Sequence, residues 1–252
     1  MLRAKRNSLA WQMNLVDSHS IWPAQHVPNP CRPLPFEDNA GTGRRWLTQR
    51  KRRARILAAA RLLMTQQSFE EVHLQAVAAH CGISIQTIYN LVGNRAELMA
   101  ASAAEWVTSI AATAREDALK RGRNVPFTLL SMFWSAAMTH TAYVESAVRT
   151  SATDSTPLKR PFLLAGFVEF EADLTRLRRE NALRDGIDIS SLARQLTISA
   201  HSAICHWKME QYPVAHFRRD LINGPGLMLA AALRGDEMRR LEHGIAEIEA
   251  LH

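Results

Sequence analysis

Leu74-Gln-Ala-Val-Ala-Ala-His-Cys-Gly-Ile-Ser-Ile-Gln-Thr-Ile-Tyr-Asn90 is the stretch whose reading decides the fold. Leu74, Val77, Ala78 and Cys81 recur at helical spacing, so a short helix is expected over roughly Leu74–His80 with one apolar stripe. Gly82 follows, the residue best able to take the left-handed conformation that ends a helix and reverses the chain. Ser84 then stands as an N-cap before a second short helix, and Ile88 and Val92, four apart, hold that helix down. Gly93 ends the unit, and Asn94 can cap a longer amphipathic helix opening with Arg95-Ala-Glu-Leu98. A short helix, a glycine turn of about four residues and a second capped helix make a helix-turn-helix, whose second helix is sized to enter a B-DNA major groove.

Working outward, with Ile88 and Val92 turned inward, Ile85, Gln86, Thr87 and Tyr89 project from the N-terminal part of that second helix. Gln86 can pair bidentately with adenine, and Thr87 offers a hydroxyl and a methyl to thymine. Tyr89 and Asn90 suit phosphates, and His73, Gln75 and Arg95 stand at helix starts past which a strand backbone should run. Each also has a purely structural reading: Tyr89 packing, Arg95 pairing with Glu97 or Glu70, Gln75 facing water.

Upstream, Ile56, Ala60, Leu63 and Met64 form the stripe of a helix expected over Gln49–Gln67. Leading into its apolar stripe, Arg44, Arg45, Arg50, Lys51, Arg52 and Arg53 fall within ten residues. Of the 31 Lys+Arg and 24 Asp+Glu in the chain, residues 1–53 hold 10 and 3, so the whole net charge of +7 originates there. Such a cluster reads either as a solvated tail or as an arm reaching phosphates or an adjacent minor groove, and the neighbouring helix-turn-helix favours the arm. Residues 1–43 carry five of the ten prolines and no sustained period; they read as a disordered or loosely ordered extension, or as sequence preceding the true start.

The run Arg55-Ile-Leu-Ala-Ala-Ala60, Phe69, Val77-Ala78, Cys81-Gly-Ile-Ser84, Thr87-Ile-Tyr89 and Asn94-Arg-Ala-Glu-Leu98 resembles the DNA-binding domain of TetR-type transcriptional repressors over about residues 50–100. Four positions depart from that pattern: Ser68 for the usual Gly, His73 for a capping Ser or Thr, Gln86 for Gly or Ala, and Val92 for Phe. The resemblance implies an effector-regulated repressor whose remaining helices bind a small molecule and dimerise through the last two long helices. Two recognition helices about one DNA turn apart, roughly 34–36 Å or a multiple, would read a near-palindromic operator.

Residues 101–252 read as a second, larger helical domain after a DNA-binding unit over 44–100. Helices are expected over roughly Arg95–Arg121, Pro126–Thr150, Pro157–Leu183, Ile189–Gln211, Val214–Leu233 and Asp236–Leu251, with Thr150–Thr156 a loop. The chain is thus all-α. Candidate effector-pocket residues are Phe133, Trp134, Met138, His140, Phe167, Phe170, His201 and Cys205, the two histidines serving as polar handles among residues that otherwise pack as core. His201 and Cys205 share a helix face, but two ligands do not close a zinc site, so no metal and no cofactor is expected.

Composition bounds the rest. No run of 18 apolar residues offers a membrane span, and Gln12 and Asn14 interrupt what would be a signal-peptide core. Three scattered cysteines fit reduced thiols, so a cytoplasmic protein is expected. A helical small-molecule enzyme with a vestigial DNA-binding unit is the alternative. It lacks a phosphate loop, a nucleophile triad and a paired-carboxylate motif.

Overall fold

The computed structural model describes residues 27–32, 44–67, 71–151, 159–209 and 213–250. Helices follow in the order α1 (Arg44–Gln66), α2 (Leu74–Cys81), α3 (Ile85–Leu91), α4 (Arg95–Arg121), α5 (Val125–Thr139), α6 (Thr141–Ser151), α7 (Lys159–Arg179), α8 (Ile189–Met209), α9 (Val214–Arg218), a π-helical turn (Arg219–Asn223), α10 (Gly224–Ala232) and α11 (Gly235–Glu249). Among the described residues the only extended pairing is an isolated bridge between Leu183 and Leu233, so the fold is all-helical. Helices α1 to α3 form a small head, and α5 to α11 pack into a larger body. The long α4 joins them, burying Leu98 and Met99 at its head end and Ile110, Ala114 and Ala118 further along.

Four expectations need correction. The basic run does not precede the first helix as an arm, because α1 begins at Arg44 and makes those residues its first turns. Within them the Arg50 guanidinium lies 4.5 Å from the centre of the Trp46 ring, a cation–π pair at i, i+4 that supports the extra turns. The span Pro126–Thr150 is two helices broken at His140 (φ −118°, ψ 43°). The Thr141 hydroxyl donates to the carbonyls of Ala137 and Met138, occupying acceptors that a continuous helix would use. The span Val214–Leu233 contains the π turn: Pro225 has no N–H and its ring would crowd the preceding turn, so the backbone widens there before α10 resumes.

The fourth correction concerns the N-terminal extension. Residues 27–32 lie packed across α1 and α4, with Val27 buried. Trp106 of α4 donates its indole N–H to the Pro28 carbonyl at 2.8 Å, and Arg61 of α1 donates to the carbonyls of Pro30 and Arg32 at 2.6 and 3.4 Å. The physical cause is Arg61 itself: a guanidinium with no solvent exposure needs partners for its five N–H bonds, and the extension supplies carbonyls. Residues 1–26 and 33–43 of that extension lie outside the described residues.

Candidate nucleic-acid interface

The local chemistry of the turn is as its residues require. Gly82 sits at φ 63°, ψ 40°. Its amide donates to Ala79 O and that of Ile83 to Ala78 O, the paired bonds that close a helix ending in a left-handed residue. Ser84 takes extended backbone angles and its hydroxyl accepts the Thr87 amide at 3.2 Å. Asn94 and Glu97 form a reciprocal capping box, the Asn94 side chain accepting from the Glu97 amide and the Glu97 carboxylate from the Asn94 amide.

Helix α3 is anchored from behind by Ile88, which has no solvent exposure, with Leu91 and Val92 half-buried; Ile85, expected on the outer side, is also half-buried and packs against the core. Val92 lies one residue past the helix end and so packs less deeply than the expected four-residue spacing implies. On the outer side Gln86, Tyr89 and Asn90 are exposed, Tyr89 by 50% although it is aromatic. The Gln86 side-chain amide donates to Oδ1 of Asn90 at 3.0 Å, so the two side-chain amides share one face. The Thr87 hydroxyl is already paired with that of Ser84 at 2.9 Å, and Thr87 is half-buried.

His73 holds the N-cap position of α2 without a side-chain cap bond and is exposed, as is Gln75. Arg95 is half-buried; its Nε donates to the Val72 carbonyl at 2.7 Å, tying the start of α4 to the start of α2, a positioning role that the sequence did not reveal. On α1, Lys51 and Arg52 are exposed, whereas Arg50 and Arg53 are half-buried. The side chains of Arg44 and Arg45 lie outside the described residues. Arg55, absent from the sequence-based set, is exposed three residues after Arg52 and four after Lys51, so helical spacing alone extends the positive face to it.

The larger body encloses an apolar cavity of about 30 Å³ between α4, α5, α6 and α8. Its walls include Trp106, Phe133, Val144, Val148 and Ile204, with His201 the one ionisable side chain. A second cavity of about 20 Å³ shares Phe133, His201 and Ile204 and reaches Phe170. The other expected pocket residues lie elsewhere. Trp134 packs on Phe217 at 4.9 Å, in an aromatic stack that continues to Trp207. Met138 is buried and Phe167 half-buried, neither lining these cavities. Cys205 meets His201 at 3.7 Å one turn along α8. His140 sits at the break after α5, edge-on to Trp106 at 6.2 Å, with Nε2 buried and without a partner. Burial of that ring lowers its pKa from 6.5 to about 4. Among the described residues no group of three His, Cys, Asp or Glu side chains could hold a metal, and no helix is long and apolar enough to cross a membrane.

Residues 56–101 match the model of bacterial regulatory proteins of the tetR family. Among solved structures, SmeT, the repressor of the Stenotrophomonas maltophilia multidrug efflux pump SmeDEF, superposes at 19% identity over 72% of this chain and 90% of its own, with a TM-score of 0.51. Thermus thermophilus FadR, a TetR-family transcriptional repressor in complex with lauroyl-CoA, does so at 17% identity over 73% and 96%, with a TM-score of 0.55. The fatty acid degradation regulator FadR of Bacillus halodurans superposes at 12% identity over 75% and 96%, with a TM-score of 0.53. No curated protein matches the sequence. The head of this chain therefore matches the tetR family of bacterial regulatory proteins over residues 56–101, and head and body together have the fold of these solved structures.

Proposed function

We propose that the protein is a sequence-specific DNA-binding transcriptional repressor, released from DNA by a small apolar effector, and not an enzyme. The observation that carries this reading is α3: a capped helix fixed from behind by Ile88 that presents Gln86, Tyr89 and Asn90 outward. Gln86 and the Thr87 methyl supply base-edge contacts, whereas Tyr89, Asn90, His73 and Gln75 supply contacts to phosphate. Lys51, Arg52 and Arg55 on α1 add charge that does not depend on base sequence. SmeT and the Thermus FadR, which share the fold, are repressors.

A second copy of the chain is needed to read both halves of a near-palindrome, and the site of action is the cytoplasm. Exposed apolar side chains on the body support a homodimer: Leu164 and Val168 one turn apart on α7, Ile198 on α8 and Leu227 on α10. The effector site is the cavity between α4, α5, α6 and α8. At about 30 Å³ it has room for only about two water-sized particles, far below the roughly 300 Å³ at which drug-sized pockets begin. An effector must therefore widen it, moving helices, and its chemistry must be almost wholly apolar with one hydrogen bond to His201.

The test is selection of bound duplexes from a random pool, followed by binding of the Gln86→Ala and Tyr89→Ala proteins to the selected duplex. A near-palindromic winner, bound more weakly by both variants, is the expected result. Unchanged affinity and preference in both would remove α3 as the reading surface.

A further inference from the structure

Arg61 is the hub of a three-way contact. Its Nε and Nη2 donate to the carbonyls of Pro30 and Arg32, and its Nη1 to the Ser102 carbonyl and, at 2.9 Å, to the Glu105 carboxylate. It thus ties together α1 of the head, α4 running into the body, and the segment 27–32. A guanidinium wholly removed from water cannot give up half its partners cheaply, so the segment and the junction of α1 with α4 are fixed together.

The next residue along α4 after Glu105 is Trp106, which belongs to two structures at once. Its indole N–H is held by the Pro28 carbonyl, while its ring forms part of the cavity wall. Tyr143 of α6, itself buried, packs edge-on against that ring at 4.9 Å. An occupant that widens the cavity presses on a wall whose other edge is the anchor of the segment.

We propose that residues 27–32 form a strap that reports cavity occupancy to the DNA-binding head. With the cavity closed, Trp106 holds Pro28 and Arg61 locks α1 to α4. When the cavity is forced open, Trp106 shifts, the strap lifts, and α1 is freed to move relative to α4. The inference rests on the effector reading of the cavity but assigns the transmission to a segment outside both the head and the body.

A cavity-filling substitution stands in for the effector. Ala147 lines the cavity from α6 and touches none of the strap bonds described, so Ala147→Leu probes filling alone. Two changes remove the strap independently: deletion of residues 1–32, and Arg61→Met, which keeps an apolar side chain where the guanidinium lay. Affinity for the duplex recovered by selection is measured in every one of these proteins, and hydrogen exchange of the peptide spanning residues 27–32 in those that retain it. Ala147→Leu is expected to change affinity by about fivefold or more in the intact chain and by less than about twofold in either strapless background, and to speed exchange of the strap. A filling effect of equal size with and without the strap, or no effect in the intact chain, overturns the strap. If no duplex is preferred by any protein, it is the reading of α3 that fails. The exchange measurement then decides the strap alone, unchanged protection on filling overturning it.

Discussion

Gly93→Ala is a stringent test of how the head is built. Gly93 lies at φ 120°, and a Cβ there would collide with Oε2 of Glu97, the oxygen that accepts the Asn94 amide. Two costs combine: backbone strain in a region reserved for glycine, about 1–3 kcal/mol, and loss of one arm of the capping box as the carboxylate is pushed away, about 1 kcal/mol. The sum is roughly 2–4 kcal/mol. Gly82 supplies the control, because it too has positive φ but a Cβ there would meet nothing within 4 Å. Gly82→Ala therefore carries only the left-handed backbone cost, about 1–2 kcal/mol. Urea unfolding followed by far-ultraviolet circular dichroism measures both, with the Gly93→Ala change repeated in a Glu97→Ala background, where its cost should fall by about 1 kcal/mol. Equal costs at the two glycines, or no relief on removing Glu97, would refute the argument that the carboxylate occupies that space.

Other outcomes follow from the same geometry. Ile88→Ala should lower stability by about 2–5 kcal/mol because it empties a fully buried site, whereas Tyr89→Ala should stay within about 0.5 kcal/mol of wild type in the same urea titration and yet weaken DNA binding. Replacing Lys51 and Arg52 together by Gln should reduce the slope of log affinity against log salt by about 2 per monomer, at roughly 0.9 for each phosphate no longer neutralised; an unchanged slope would place these cations away from DNA. The His140 imidazole, with its pKa lowered to about 4 by burial, is neutral when folded and takes a proton more readily when unfolded. Stability should therefore be full above about pH 6.5 and decline as pH falls toward about 4, and thermal unfolding of His140→Leu should show a flatter profile over that window.

The helix-turn-helix was legible because its signals are local. Gly82, Ser84, Asn94 and Glu97 act on backbone groups within a few residues, so spacing alone places them, and Ile88 follows from helical period. What the sequence hid turns on choices among partners that spacing does not fix. The break at His140 depends on which acceptors the Thr141 hydroxyl takes, and a run such as Met138-Thr-His-Thr-Ala142 has no proline or glycine to announce it. The docking of residues 27–32 depends on Arg61, some thirty positions away, which in a basic helix looks like one more surface cation. The aromatic residues of the body were ambiguous for a related reason: Phe133 and Trp134 are neighbours in sequence, yet one faces the cavity and the other the stack with Phe217. Only packing decides which.

The most direct measurement is equilibrium binding, at one fixed salt concentration, of wild type and Gln86→Ala to the selected duplex and to a random duplex of equal length. Wild type should prefer the selected duplex by about 10³-fold or more, and Gln86→Ala should lose about 1–3 kcal/mol of that preference with little change on the random duplex. Equal affinity of the wild-type protein for both duplexes would contradict the assignment of α3 as a helix that reads DNA sequence.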